Sequence, residues 1–201
     1  MAASPLTVTR RSTSLRVNPD YRDFLEQRGL TTASDFLALT GVIVSGHPDR
    51  HVLRVTLGSG DQTLTCFLKR EHRVPRLGRL ANAWAGFGFV SHSCREAALL
   101  SRLHQFGVAV PEWIAAGEDS QGRAFLLVRE LAGAIDLRLF LHGQRDTERR
   151  RLLAHKLGEA LAQMHETGFS HPDLYAKHVL VNPRDLGATL VDWQRSRRHK
   201  H

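Results

Sequence analysis

Two acidic residues stand where a carboxylate can do chemistry. Asp173 lies in His171-Pro172-Asp173-Leu174-Tyr175-Ala176-Lys177-His178, which reads as an exposed loop, and Asp192 closes the apolar run Leu190-Val191-Asp192-Trp193 a short hairpin later. Transfer of a phosphoryl group from ATP needs such a pair: one carboxylate to orient the attacking hydroxyl and relieve it of its proton, the other to hold magnesium on the phosphates. A cation is needed as well. Lys69 ends an alternating, strand-like run, and Glu96 falls on the apolar stripe of the next strong helical pattern. An acid on an inward stripe is costly unless a cation meets it, so a lysine held by Glu96 could reach phosphate oxygens from a cleft. Taken singly, each residue has an ordinary reading, since His-Pro-Asp is good turn chemistry and lone lysines and loop acids are common. Their succession along the chain makes coincidence a poor account.

The elements that must position these residues follow from periodicity. Residues 1–18 are rich in Ser, Thr and Arg, lack a period and read as a flexible arm. Short helices are expected over residues 21–28 and 34–39, the second capped by Ser34. From Val42 the period becomes two. Leu53, Val55 and Leu57 alternate with polar neighbours, Gly58-Ser59-Gly60-Asp61 turns the chain, and Leu64, Cys66 and Leu68 alternate again. Residues 76–85 can be helical, with Leu77, Leu80 and Trp84 on one stripe, before Gly86-Phe87-Gly88-Phe89 breaks the pattern. A stronger helix spans 93–106, with Leu99, Leu103 and Phe106 in line and Gly107 as terminator. Strands over 110–117 and 124–129, a short helix over 136–141 and a long one over 147–167, capped by Thr147, come next. Residues 179–181 and 189–191 should pair as a small hairpin. Strands, helix, strands, then helices with a hairpin is an α+β plan in two lobes, a sheet lobe over 19–130 and a short, mostly helical one over 131–201. A ligand would sit in the cleft between them.

Bulk properties narrow the partners. The chain has 201 residues and a formal net charge of +8, with basic runs at Arg149-Arg150-Arg151 and at Arg195, Arg197, Arg198 and Lys200. Such a surface is either simply solvated or suited to nucleotide phosphates, acidic lipid headgroups or nucleic acid. No nucleic-acid-binding motif is present, so nucleic acid ranks last. Cys66 and Cys94 are far apart and lack metal-ligand spacing, so two buried, reduced thiols and a cytoplasmic location are expected. No run approaches the ~18 apolar residues of a spanning helix, which leaves peripheral contact with an anionic inner-membrane surface as the membrane option. Trp84, Phe87 and Phe89 lie near Arg76 and Arg79. Packing of this insert against the sheet lobe is the first expectation, and a surface that meets anionic glycolipid is the alternative.

From about residue 42 to 195 the chain resembles the protein-kinase-like superfamily, most closely the lipopolysaccharide kinases that phosphorylate 3-deoxy-manno-octulosonic acid or heptose. The sharpest likeness is His171-x-Asp173-x-Tyr175-x-x-His178 followed by Val191-Asp192-x-x-Arg195, with Phe67-Leu68-Lys69-Arg70 and Arg95-Glu96 in support. Histidine at 178 resembles this family, because protein kinases usually carry asparagine there. The resemblance implies ATP and Mg2+ as cofactors and a sugar or glycolipid acceptor. It implies Asp173 as catalytic base, Asp192 as magnesium ligand, and His178 as either a second metal-facing ligand or a phosphate partner. Lys69 would hold the nucleotide phosphates, positioned by Glu96, and backbone groups near Glu130 and Leu131 would hold adenine. The chain departs from the pattern in three ways: no G-x-G-x-x-G precedes Lys69, Pro172 replaces an arginine common in relatives, and only nine residues follow Asp192. A kinase for a protein or small molecule, and a non-catalytic nucleotide-binding module, are the alternatives.

Overall fold

The computed structural model describes residues 13–199. β1 (Ser14–Val17) leads through a single 3-10 turn into the short helices α1 (Arg22–Glu26) and α2 (Ala33–Ala38). The strands β2 (Val42–His47), β3 (Arg50–Leu57) and β4 (Leu64–Glu71) follow as a meander. Then come α3 (Arg76–Trp84), α4 (His92–Gln105), β5 (Trp113–Glu118) and β6 (Ala124–Arg129). The last part holds β7 (Ile135–Asp136), α5 (Leu137–Gly143), the long α6 (Thr147–Glu166), β8 (Phe169–Ser170), β9 (Val179–Val181), β10 (Ala188–Leu190) and β11 (Arg197–Arg198).

Six strands form one antiparallel sheet in the order β1-β5-β6-β4-β3-β2, and the smaller pairings are β10-β9-β7 and β11-β8. Alternation of side chains across a strand sends neighbouring residues to opposite faces. Phe125 and Leu127 of β6 therefore join Val55, Leu68 and Phe36 in a core beneath α1 and α2, where the Phe36 and Phe125 rings stack at 4.7 Å. Leu126 and Val128, from the same strand, face α4 and meet Leu99, Leu100 and Leu103. That second core continues without a break to Phe140, Leu153, Met164, Val179, Leu190 and Trp193. The helix that carries Glu96 and the hairpin that carries Asp192 thus share one apolar body.

Several expectations need correction. Residues 14–17 do not belong to an arm: they form β1, paired with β5 so that Leu15 lies opposite Gly117. Leu15 and Val17 pack on the core beneath α1 and α2, which ties down a sequence too short to show a period. Gly117 permits the approach, since a Cβ there would stand 2.5 Å from the Ser14 carbonyl oxygen. Residues 1–12 of the expected arm lie outside the described residues. The helix caps shift by one or two positions. Thr32, not Ser34, caps α2 through a reciprocal box with Asp35, and Asp146, not Thr147, caps α6 by accepting from the amides of Glu148 and Arg149. A cap must sit one residue before the first helical one to reach those donors, a distinction that neighbouring Ser, Thr and Asp residues blur in sequence. Phe106, aligned with Leu99 and Leu103, is past the end of α4 and half-exposed. The stripe of α3 faces away from the sheet.

Cys66 and Cys94 are buried and unpaired, and burial pushes their thiols up, Cys66 to about 12 and Cys94 to about 11. Because these folded values exceed the unfolded one, the thiols favour folding below about pH 8.5 and lose that contribution as pH rises toward 11–12. Iodoacetamide at pH 8 is expected to leave both cysteines unmodified in the native protein and to label both in urea, as read by intact mass. Fast native labelling at either position would contradict the packing around it.

Candidate active site

The cleft that matters is a cavity of about 830 Å³ between the large sheet and the β7–β9–β10 region. Its walls include Val44 and Gly46 from β2, Lys69 from β4, Glu96 from α4, and Leu131, His178 and Asp192 from the later segments. Lys69 is placed by period: in β4 it alternates with the buried Leu68 and lies across from Val52 of β3 and Leu126 of β6. Its Nζ meets Glu96 Oε1 at 2.5 Å, with side-chain exposures of 16% and 2%. A carboxylate so deeply buried requires a cation, and Lys69 supplies it while keeping two further N–H donors toward the cavity. The other oxygen of Glu96 has no hydrogen-bond partner among the described residues.

The hairpin β9–β10 delivers His178 and Asp192 to the same cavity. The Val191 N–H donates to the His178 carbonyl at 2.9 Å, which sets the two segments side by side. The His178 ring bridges the Asp173 main chain and the Asp192 side chain: its Nδ1 is 2.6 Å from the Asp173 carbonyl oxygen, and its Nε2 is 3.7 Å from Asp192 Oδ2. A carbonyl only accepts, so Nδ1 carries the proton. With that tautomer Nε2 is an acceptor that faces the Asp192 carboxylate. Asp192 also has a φ of +65°, a left-handed conformation that costs a non-glycine residue about 1–3 kcal/mol and persists only where its surroundings hold it. They do so at several points. Trp193 is fully buried and donates to the Leu190 carbonyl, Arg95 donates to the Ser196 carbonyl at 2.6 Å, Arg50 bonds Gln194, and β11 pairs with β8.

Five of the seven residues singled out from sequence line this cavity: Lys69, Glu96, Leu131, His178 and Asp192. Asp173 and Glu130 do not. The Asp173 main chain is bonded to His178, and its carboxylate takes a 3.2 Å contact from Arg195. The Glu130 amide is committed to the Thr65 carbonyl and its carboxylate takes two 2.8 Å bonds from Arg54. That N–H is therefore not free for adenine, which leaves the Glu130 carbonyl and the Leu131 backbone of this segment. Two participants were not assigned roles from sequence. His171 is buried, with its Nε2 3.0 Å from the Val191 carbonyl and its ring edge-on to Trp193, so it fixes the approach to Asp192. Arg195 orients Asp173. Both stood inside the motif, but nothing in their spacing says which atoms they touch.

Among the described residues, no group of three or more His, Cys, Asp and Glu could hold a metal alone. The Asp192 carboxylate suits an ion that takes one or two protein carboxylates and completes its shell with phosphate oxygens and water, as magnesium does, whereas the imidazole beside it is a poor ligand for so hard an ion.

Comparison with known proteins gives the lineage. The model of the Lipopolysaccharide kinase (Kdo/WaaP) family matches residues 49–201. The chain is 32% identical over 136 residues to the 3-deoxy-D-manno-octulosonic acid kinase of Pasteurella multocida, covering 64% of this chain and 55% of that one. It is 31% identical over 144 residues to the kinase of the same name from Vibrio parahaemolyticus, covering 69% and 59%. It is 31% identical over 111 residues to the lipopolysaccharide core heptose(I) kinase WaaP of Pseudomonas aeruginosa, covering 48% and 41%. The chain belongs to the lipopolysaccharide kinase (Kdo/WaaP) family. It spans about half the length of the curated relatives it matches.

The ion pair makes a measurable demand. Lys69→Met strands a buried carboxylate and is expected to cost about 3–5 kcal/mol in urea unfolding at pH 7. Adding Glu96→Leu should recover much of that loss, because two apolar groups then replace the pair. Strictly additive losses would mean that the two side chains are not coupled.

Proposed function

We propose that this chain is a two-lobed, protein-kinase-like enzyme that transfers phosphate from ATP, with magnesium, to a sugar hydroxyl of the lipopolysaccharide core, 3-deoxy-D-manno-octulosonic acid or heptose. The observation that carries this reading is that the Lys69–Glu96 pair, Asp192 and His178 line one cavity. The names of the relatives support the acceptor class.

In this reading, magnesium neutralises the phosphate charge when bound, and Asp192 is the side chain that holds it. Lys69 binds phosphate oxygens with the two donors that Glu96 leaves free. Glu96 keeps the ammonium aimed into the cleft. The Glu130 carbonyl and the Leu131 backbone take the adenine edge. Hydroxyl attack forms a new O–P bond as the bond to the departing ADP oxygen breaks, and the hydroxyl proton passes to the Asp173 carboxylate. Arg195 and the loop from His171 to His178 hold Asp173 for that role. Catalysis is then mostly positioning and charge neutralisation. The acceptor lies at the cytoplasmic face of the inner membrane.

Labelled ATP incubated with the protein, magnesium and a crude lipopolysaccharide-precursor fraction should put label into the glycolipid. Asp173→Asn should lower turnover by about 10²-fold or more while the ATP-induced rise in melting temperature persists. Turnover within about tenfold of wild type would reject this role for Asp173. A nucleotide-binding module without activity would instead show the melting shift and no labelled product in the wild type.

A further inference from the structure

The helix α3 is mounted inside out. Its polar side faces the protein. Arg79 pairs with Glu118 at 2.5 Å, and Glu118 also accepts the Ser91 amide. Asn82 is fully buried, donating to the Val90 carbonyl at 2.8 Å and accepting from Arg95 at 3.0 Å. Gly78 lies against the first turn of α4, where a Cβ would come within 3.0 Å of His92 Nε2. With these contacts made, the opposite stripe has nowhere to fold. Leu77 is 79% exposed, Leu80 48% and Trp84 93%, and Phe89 in the next loop is 55% exposed. A helix that fixes its polar face by an ion pair and specific hydrogen bonds, and turns a tryptophan and two leucines outward, presents that stripe to something apolar.

The surroundings identify the occupant. From His72 to Arg95 the sequence contains no aspartate or glutamate, but four arginines, Arg73, Arg76, Arg79 and Arg95, and two histidines. Arg73 and Arg76 have no ion-pair or hydrogen-bond partner for their side chains among the described residues. A nine-residue helix is about 13 Å long, so one stripe of it falls well short of the ~800 Å² per partner that stable protein interfaces use. A short apolar stripe bearing Trp and rimmed by unpaired Arg matches the boundary of an anionic bilayer, where aromatics sit at headgroup level and arginines meet lipid phosphates. We propose that α3 docks this protein on an anionic membrane surface, with Leu77, Leu80, Trp84 and Phe89 in the interface and Arg73 and Arg76 at the phosphates.

This placement also connects the bilayer to the chemistry. Arg76 and Leu77 line a second cavity of about 940 Å³ with Arg50, Arg73, Asp49 and Glu71, and the Glu71 carboxylate is already bound by Ser93. His47 and Arg50 are walls of both this cavity and the site cleft. A lipid-borne sugar phosphate entering beside α3 would therefore meet guanidinium groups on the way to Lys69. Only this last point rests on the kinase reading; the docking does not.

Vesicle flotation tests it with the full chain, using phosphatidylglycerol mixed with phosphatidylcholine, and phosphatidylcholine alone. Wild type is expected to float with the anionic vesicles only, and Leu80→Ser/Trp84→Ser to lose about tenfold of that binding. Both positions are exposed, so the variant should keep its circular dichroism and melting temperature. Equal flotation of variant and wild type, failure of wild type to float, or a wild-type dimer in gel filtration that the variant abolishes would overturn the proposal. Transfer to a deacylated, water-soluble acceptor, measured in parallel, should be the same in both proteins. Its absence from both would count against the kinase reading and leave the vesicle result standing.

Discussion

Lys69 lies in the sheet and Glu96 in the helix packed beneath it, so their ion pair sets how α4 sits against β4. The constraint works because of burial. At 2% exposure the Glu96 side chain has no access to bulk water, and the cost of leaving it unpaired exceeds what a surface salt bridge supplies. Leu99, Leu100 and Leu103 on the same helix are fixed against Leu126 and Val128. Rotating α4 to release Glu96 would pull those leucines from the core. Apolar packing and the buried charge therefore demand the same orientation, and the ammonium is left pointing into the cavity.

The Asp192 side of the cavity is held by a different device. Asp192 sits in a strained left-handed conformation two residues past a three-residue strand. The strain is opposed by a buried tryptophan directly after it, by His171 bonded to the carbonyl before it, and by guanidinium groups of Arg50 and Arg95 reaching across from the first half of the chain. These last contacts link residues about a hundred or more positions apart. They couple the placement of Asp192 to the same helix that places Lys69, so the two walls of the cavity are not independent.

Sequence reasoning reached the local structure where one period dominates. The β3–β4 hairpin, α4 and α6 are legible because alternate or every third and fourth residues are apolar and their burial follows directly. It failed at Ser14–Val17, where a four-residue strand takes its stability from a neighbour a hundred residues away. It misplaced caps by a residue or two, because several adjacent side chains were chemically able to serve. It also expected the insert with Trp84, Phe87 and Phe89 to pack inward, and only Phe87 does so. Periodicity finds an apolar face but not its direction, and here the polar face had partners, Glu118 and Arg95, that no local pattern announces.

The sequence by itself determined which residues could do chemistry, their succession and the family to which they are similar, because residue type and spacing are local properties that survive without coordinates. Only the tertiary structure decided the rest. It put the imidazole of His178 between the Asp173 backbone and the Asp192 carboxylate, tied up the Glu130 amide in the sheet, drew Asp173 toward Arg195, and turned Leu77 and Trp84 outward. Each of these outcomes is a competition among hydrogen bonds and buried contacts from distant segments, and such a competition is settled only when the whole chain has packed.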